Sequence, residues 1–429
     1  MKTSPLVLSM LVSAGLLACG ARTDLLDARA TETPGDSGTG GTSGAGGTGG
    51  TSGAAGSPDA GPGYSQTQLA LGSYHTCSVR YDGRLLCWGG NQQGQLGDGT
   101  KDARALPVQV ALPAASVTAL TAGFRHTCAA LVTGEVYCWG ENTDGQVSPD
   151  AESIATSPVR VPIDGVGFAG VNGLAAGEYH TCAVLADGRL VCWGSNRQGQ
   201  LGIGSSTLDA PPTDVPLPGP ASYVSAGDFF TCAMVNHGGT SEAWCFGQNH
   251  YGQLGDGTNE DSSSPVRALL DAPVQRIDAG GFFVIASLQF EDALPPLYGW
   301  GENGSGQLGP DIGDEISVPT PMTPSWNLVD WSAGLSHACA VRWHDGPPWE
   351  TLCWGTNGQG QLGDGTLSSR AEPRAVKADF EAVIVEAGLL HTCAESLEGG
   401  AYCWGSNEFG QLGDGTTIDR TVPVRVSGL

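Results

Sequence analysis

Charged residues are scarce in this 429-residue chain, and basic residues are the scarcest of them. Asp, Glu, Lys and Arg make up 15% of the sequence, against about 25% in an ordinary soluble protein. Only 19 residues are Lys or Arg, against 44 Asp or Glu, and the formal net charge is −25. A nucleic-acid-binding domain needs a basic face to meet phosphates, so this balance argues against nucleic-acid partners.

Helical and membrane-spanning segments are also missing from the sequence. Helical bundles and coiled coils need many charged helix formers, whereas this chain has few charges, 67 Gly and 26 Pro. The apolar run at residues 6–17 is too short to span a bilayer, which takes about 20 residues. The composition therefore predicts a turn-rich, all-β protein.

Motifs of common catalytic chemistry are absent as well. The chain contains no Gly-x-Ser-x-Gly elbow, no phosphate loop with Gly-Lys-Ser/Thr and no His-Glu-x-x-His. We predict a protein that is not an enzyme and that uses no metal ion and no other cofactor.

The first residues have the form of an export signal. Lys2 precedes the apolar run, and residues 16–19 read Leu-Leu-Ala-Cys. This sequence resembles the lipobox of bacterial lipoproteins, in which the cysteine thiol takes the lipid. The resemblance implies a signal peptide at 1–18, lipidation of Cys19, and an exported protein held at the outer membrane or cell surface by its lipid alone. An ordinary secretory signal with an incidental cysteine is the alternative.

A low-complexity segment follows at residues 19–63. From about residue 31 it consists mainly of Gly, Thr, Ser and Ala with three prolines. Such a composition cannot bury enough apolar surface to offset the entropy of ordering. We predict a disordered linker that holds a domain away from a membrane.

One unit repeats through residues 64–429. It reads Ala-Gly-x-x-His-Thr-Cys-Ala, a Gly-containing turn, Cys-Trp-Gly-x-Asn, Gly-Gln-Leu-Gly-Asp-Gly-Thr, and Pro-Val-x-Val. Its tryptophan position recurs every 50 to 54 residues, at Trp88, Trp139, Trp193, Phe246, Trp300, Trp354 and Trp404. Seven copies are therefore present, and internal repetition of this kind decides the fold.

Each copy predicts four short strands. The Ala-Gly separates strand one from strand two, and dipeptides such as Asp82-Gly83 and Asp187-Gly188 mark the hairpin between strands two and three. The Gly-rich loop leads to strand four. Four strands repeated at this period are typical of propeller blades, so we predict an all-β, seven-bladed β-propeller. Which blade the last strand completes stays open.

The repeat resembles the regulator-of-chromosome-condensation repeat family, whose members are seven-bladed β-propellers. The resemblance covers the whole repeat domain. The family includes a nuclear guanine-nucleotide exchange factor, eukaryotic modules and secreted bacterial members, one of them a β-lactamase inhibitor. It therefore implies the fold and leaves the function open.

Twelve of the 13 cysteines fall in the repeats. In each pair one member lies on strand two and the other on strand three, so they face each other across a hairpin. Facing residues at non-hydrogen-bonded positions lie about 4.5 Å apart between Cα atoms, within reach of a disulfide. Blade five has Ile285 and Gly299 there, so both thiols are absent together. We predict six disulfides, Cys77–Cys87, Cys128–Cys138, Cys182–Cys192, Cys232–Cys245, Cys339–Cys353 and Cys393–Cys403.

The other repeated residues are predicted to be structural. The histidine before each first cysteine recurs in five blades, at His75, His126, His180, His337 and His391. A catalytic or zinc-binding group is normally needed once, so we expect these framework histidines to hydrogen-bond within each blade. The tryptophans are expected to pack between blades. The single Asp of the Gly-Asp-Gly-Thr loops, at Asp98, Asp256, Asp364 and Asp414, suits a tight turn and falls short of a calcium site, which needs several oxygen ligands.

Function is expected where the repeat is broken. The hairpins between strands two and three are lengthened in three consecutive blades, four to six, and they should be neighbours on one face. They carry aromatic groups beside acids and prolines, a composition that resembles an interaction patch. The candidate binding residues are His237, Trp244, Phe290, Glu291, Asp292, Trp343, His344, Asp345, Trp349 and Glu350.

We therefore predict a monomeric, surface-tethered binding module for a protein or a polysaccharide of the cell envelope or exterior. A passive structural role in the envelope is the alternative. Guanine-nucleotide exchange would follow from the family resemblance alone.

Overall fold

The computed structural model describes residues 68–80, 82–163, 170–289, 297–323, 328–343 and 349–429. The regular elements in these ranges are β-strands, which form seven antiparallel four-stranded sheets. The predicted seven-bladed propeller is confirmed. No helix in these ranges is long and apolar enough to cross a bilayer. The predicted signal peptide, Cys19 and the linker lie outside the described residues.

In every blade the four strands pair in chain order. Blades one to three contain β1 Gln68–Leu71, β2 His75–Val79, β3 Leu85–Gly89, β4 Arg104–Gln109, β5 Val117–Ala122, β6 His126–Leu131, β7 Val136–Glu141, β8 Ile154–Arg160, β9 Val171–Ala176, β10 His180–Leu185, β11 Leu190–Ser195 and β12 Asp209–Asp214. Blades four to seven contain β13 Ala221–Ala226, β14 Phe230–His237, β15 Thr240–Gly247, β16 Ser262–Arg267, β17 Val274–Ala279, β18 Phe283–Leu288, β19 Leu297–Glu302, β20 Glu315–Pro321, β21 Leu328–Ala333, β22 His337–Arg342, β23 Glu350–Gly355, β24 Arg370–Ala375, β25 Ala382–Ala387, β26 His391–Ser396, β27 Ala401–Gly405 and β28 Arg420–Arg425.

The ring closes without an exchange of strands between its first and last blades. The C-terminal strand β28 pairs with β27, and β1 pairs with β2, so each blade is completed by its own strand. Side chains of blade one then hold blade seven. The Thr76 hydroxyl and the Trp88 indole both donate to the carbonyl oxygen of Gln411, each at 2.9 Å.

The apolar core lies between neighbouring blades. The Trp139 indole is fully buried and donates to the Gln95 carbonyl oxygen of the preceding blade at 2.9 Å. Like Trp88, the tryptophans of four further blades repeat this bond, namely Trp193, Trp300, Trp354 and Trp404. The predicted packing of the tryptophans between blades is confirmed. Strand four lies at the outer edge of each blade. A proline there removes no hydrogen bond of the sheet, because the N–H that it lacks would face solvent.

The framework histidines join blades, so the prediction that they bond within a blade was wrong. His126 Nε2 lies 2.9 Å from the Thr181 hydroxyl oxygen of the next blade. That hydroxyl donates its only proton to the Gln146 carbonyl oxygen at 3.0 Å, so the imidazole N–H must be the donor to Thr181. The same pairing occurs at His75–Thr127, His180–Thr231, His337–Thr392 and His391–Thr76.

Blades four and five replace the histidine with phenylalanine, and the threonine partner disappears with it. Phe230 packs in one cluster with Val284 of the next blade, and Phe283 packs with Ala338. Both members of the hydrogen-bonded pair are therefore replaced by apolar groups, which leaves no buried polar atom without its partner.

Polar side chains on the innermost strands hold the same junctions. The Arg276 guanidinium pairs with the Asp330 carboxylate at 2.8 Å, and the Asp278 carboxylate accepts the backbone N–H of Ala333 at 3.0 Å. At the preceding junction the Ser225 hydroxyl accepts the backbone N–H of Ala279 at 2.9 Å. Blades four to six are thus joined from the inside of the ring.

The Gly-Asp-Gly-Thr loops are tight turns, as predicted. The Asp98 carboxylate accepts the Thr100 hydroxyl at 2.6 Å and the backbone N–H of Thr100 at 2.9 Å. The Asn91 amide donates to the same carboxylate at 3.1 Å. In the described ranges no group of three or more His, Cys, Asp or Glu residues could hold a metal ion.

Candidate functional site

The six predicted cysteine pairs lie opposite each other in the hairpins. Each pair has a Cα–Cα distance of 4.1 Å and is at bonding distance between the sulfurs. In blade five the register places Ile285 opposite Gly299, the positions where both thiols are absent. These hairpins form one surface of the ring, which we call the hairpin face.

The lengthened hairpin of blade four holds a closed network around Glu242. One carboxylate oxygen of Glu242 accepts the Trp244 indole N–H at 3.1 Å and lies 3.2 Å from Nδ1 of His237. The other pairs with the Arg267 guanidinium at 3.1 Å. The structure brings these candidate residues together, but their polar groups already form hydrogen bonds and ion pairs with neighbouring side chains of blade four.

The candidate residues of blade six have different environments. The Trp343 side chain is 43% exposed, whereas Trp349 packs against the apolar cluster between blades six and seven. Glu350 pairs with Arg342. Phe290, Glu291, Asp292, His344 and Asp345 lie outside the described residues, so the predicted continuity of the patch across blade five stays a prediction.

The opposite surface carries aromatic side chains that our sequence analysis missed. It is formed by the turns between strands one and two and the loops between strands three and four, and we call it the turn face. Four rings form a continuous chain across three blade junctions, which we call the aromatic arc. Centroid distances are 4.9 Å for Phe409–Tyr74, 6.1 Å for Tyr74–Phe124 and 5.9 Å for Phe124–Tyr179.

The arc is open to solvent along most of its length. Phe124 is buried, while Tyr74, Tyr179 and Phe409 are half-buried and show part of their rings. The Arg125 guanidinium lies 4.6 Å from the Phe124 ring centroid, a cation–π distance. The arc therefore offers an apolar surface with one cation attached.

A second aromatic group lies on the turn face at blades four and five. The rings of Phe229 and Phe282 have centroids 6.3 Å apart, and Tyr251 lies 5.4 Å from Phe282. All three are half-buried. The turn face thus carries half-buried aromatic side chains in blades one, three, four, five and seven.

Acidic groups border the blade-three end of the arc. Burial raises the pKa of Glu178 to about 7, although a hydrogen bond from Tyr179 opposes this shift. Burial also raises the pKa of the neighbouring Glu141 carboxyl, against the attraction of Arg125. Burial and the Glu178 carboxylate together raise the pKa of the Tyr179 hydroxyl. The carboxyl groups at this end of the arc are therefore largely withdrawn from solvent.

One sequence signal could have revealed the turn face. The two residues between Gly and the framework His, or the Phe that replaces it in blades four and five, vary from blade to blade inside an otherwise regular motif. They include Tyr74, Phe124, Tyr179, Phe229 and Phe282. A framework position repeats its residue type, whereas these two positions carry one aromatic residue in each of blades one to five and none in blades six and seven. That pattern is typical of a surface chosen for contacts.

Comparison with known proteins places this geometry in a family. The sequence profile of the RCC1-like domain matches residues 36–383, and profiles of the regulator of chromosome condensation (RCC1) repeat match residues 382–411 and 398–429. The ultraviolet-B receptor UVR8 of Arabidopsis thaliana is 30% identical over 328 residues, which cover 74% of this chain and 71% of the receptor. The E3 ubiquitin-protein ligase HERC2 of Mus musculus is 29% identical over 72% of this chain, but this match spans only 6% of HERC2.

Solved structures share the fold at low sequence identity. Human WBSCR16 superposes with a TM-score of 0.70 at 21% identity, covering 80% of this chain and 94% of that one. Yeast RCC1 (Prp20), crystallised bound to Kap60, also gives a TM-score of 0.70 at 21% identity, covering 84% of each chain. The profile match over most of the chain, the identity to UVR8 and the seven four-stranded blades together show that this protein belongs to the RCC1-like domain family.

Proposed function

We propose that this protein is an exported, lipid-anchored binding propeller that docks a partner protein on its turn face. The observation that carries the proposal is the aromatic arc, in which half-buried rings from three blades and the buried Phe124 of a fourth form one continuous surface. Large aromatic side chains are enriched where protein interfaces have their strongest contacts. The ring presents them on a rigid scaffold, which reduces the entropy cost of binding.

Family structure supports a protein partner. Yeast RCC1 (Prp20) is crystallised with Kap60, and another structure of it concerns binding to Gsp1p and histones. These partners belong to that protein. What we carry over to this chain is only that a protein with an RCC1-like ring binds other proteins.

The sequence supports the location. The Leu-Leu-Ala-Cys motif before the linker provides a lipidation site at Cys19, and six cysteine pairs suit the oxidising conditions outside the cytoplasm. Residues 64–429 carry 16 basic and 39 acidic residues, a charge that opposes binding to nucleic acid or anionic lipid surfaces. In this account the lipid and linker hold a monomeric propeller clear of the membrane.

Affinity capture with the immobilised full chain tests the proposal. Envelope and secreted proteins are applied to the wild type, to Tyr74→Ser/Tyr179→Ser on the turn face, and to Trp343→Ser on the hairpin face. We expect a protein that the wild type and Trp343→Ser retain and that the double variant loses. Melting curves confirm that both variants are folded.

The hairpin face is a second candidate surface because Trp343 is exposed there. A partner lost with Trp343→Ser and retained by the double variant would place the site on this face. No specific partner for any of the three proteins would favour the passive structural role.

A further inference from the structure

The fourth strand of blade six departs from the repeat at one position. In the other blades the residue opposite the second cysteine, or opposite Gly299 in blade five, is Val or Thr. These residues are Val108, Val159, Thr213, Val266, Thr320 and Val424. In blade six the residue opposite Cys353 is Arg374. A cation replaces an uncharged side chain in one blade of seven.

Arg374 lines a groove of about 580 Å³ at the outer edge of blade six. Three further cations line it, Arg342, Arg370 and Lys377, so the groove holds four of the 16 basic residues in residues 64–429. The four cations exceed the two acids of the lining, Glu350 and Asp364, so the groove is locally positive in a protein whose net charge is −25. The volume lies within the range of about 300–1,000 Å³ that is usual for ligand sites.

Two of these cations are already paired, and two are not. Arg370 pairs with Asp364 at 2.8 Å, and Arg342 pairs with Glu350. Arg374 and Lys377 are exposed, and neither forms an ion pair with another residue in the part of the chain that the structure describes. The groove thus offers two available cations beside the half-buried Glu350 carboxylate, which can accept hydrogen bonds. Asp364 is buried and already accepts from Thr366 and Arg370.

We propose that this groove binds an oligosaccharide that carries carboxylate groups. Carboxylates spaced along the sugar chain would pair with Arg374 and Lys377, and neighbouring hydroxyls would donate to Glu350. An acidic peptide or a polyphosphate has few hydroxyl donors for the Glu350 carboxylate.

The site is separate from the aromatic arc, to which blade six contributes no ring. It uses a different blade edge, and nothing in it requires the proposed protein partner. The lipid anchor would bring the groove to the cell exterior, where acidic polysaccharides are found.

Isothermal titration of the full chain with uronic-acid oligosaccharides tests this inference. The probes are trimers to hexamers of galacturonate, guluronate, mannuronate and hyaluronan, each beside its uncharged methyl ester. We expect at least one acid oligomer to bind, with affinity that falls as salt rises, and the corresponding ester to bind at least tenfold more weakly.

Variants come from the repeat itself, so they are compatible with the fold. Arg374→Val and Lys377→Ser introduce the residues that blade seven carries at these positions, Val424 and Ser427. Each should weaken binding by about tenfold, as expected for a charge-assisted contact. Arg160→Gln, in blade two, is the matched control and should leave binding unchanged.

Several results would overturn the inference. They are binding of acid and ester with equal affinity, unchanged binding by Arg374→Val, or no binding of any acid oligomer. Tighter binding of a hexa-glutamate peptide than of every oligosaccharide would assign the groove to acidic peptides instead.

Discussion

His391 of the seventh blade lies 2.9 Å from the hydroxyl oxygen of Thr76 in the first blade, measured from its Nε2 atom. Residues 315 positions apart in the chain thus close the ring. The same threonine donates to the Gln411 carbonyl oxygen at 2.9 Å, so each such junction is a relay from imidazole to hydroxyl to backbone. The relay needs the neighbouring blade in place, and burial keeps its histidine neutral by lowering the pKa to about 3.

The relay predicts a specific pattern of stability changes. His126→Phe removes the donor to Thr181 and should lower the free energy of unfolding by about 1–2 kcal/mol. Thr181→Val alone removes both its bonds and should cost a similar amount. The double variant His126→Phe/Thr181→Val reproduces the Phe230–Val284 junction. Its loss of unfolding free energy should be smaller than the sum of the losses in the two single variants. Urea unfolding of the four proteins measures this coupling, and full additivity would contradict the relay.

The framework histidines also predict loss of stability in acid. Burial lowers the pKa of all five to about 3, from about 6.5 in an unfolded chain. The unfolded chain binds more protons between these values, so their contribution is complete above pH 6.5 and is lost as pH falls. At pH 5, each framework histidine should lower the free energy of unfolding by up to about 2 kcal/mol.

Urea midpoints measured from pH 7.5 to pH 4.5 test this dependence. The His126→Phe/Thr181→Val variant has one titrating group fewer and should show a shallower slope than the wild type. An identical slope would mean that the histidines do not control acid stability.

A buried carboxyl predicts the opposite dependence. Glu395 lies on the second strand of blade seven, where blades one and six have Val79 and Val341. Burial raises the pKa of Glu395 to about 8, so the folded protein holds a proton that the unfolded chain releases near pH 4.5. Stability should therefore fall as pH rises from 4.5 through 8. Glu395→Gln should raise the melting temperature at pH 9 and leave it nearly unchanged at pH 4.5. A rise of equal size at both pH values would show that ionisation is not the cause.

Disulfides in the hairpins predict a further stability effect. Cys77→Ala/Cys87→Ala opens a short loop and should destabilise the protein by about 2–3 kcal/mol. Intact mass after alkylation should show no free thiol before reduction and twelve after it, with the thirteenth, Cys19, blocked by the proposed lipid. Several free thiols before reduction, or an unchanged melting temperature, would contradict the pairing.

Most of the fold could be predicted because the repeat is strict. The spacing of Cys77 and Cys87 around Asp82-Gly83 fixes a hairpin, and seven copies of it require a ring. The partner of each histidine could not be predicted, because a threonine of the same motif is nearby in its own blade as well. Only the ring geometry places His126 against Thr181.

The candidate site was harder to predict from the sequence. The lengthened hairpins drew attention to blades four to six, whereas the aromatic arc joins Phe409 to Tyr179 through three blade junctions that are far apart in the chain. Arg374 was visible as a departure from Val or Thr. A binding role for Arg374 could be inferred only from the structure, because the fold brings Arg342 and Lys377 to the same groove.

The most direct test of the account is hydrogen–deuterium exchange on the full chain with and without the captured partner. We predict protection of the turns at 72–75, 123–126 and 177–180 and of the loop around Phe409, with no change in the hairpins of blades four and six. Protection confined to residues 236–241 and 343–350, with the turn face exchanging as in the free protein, would contradict the central claim that this propeller binds through its aromatic arc.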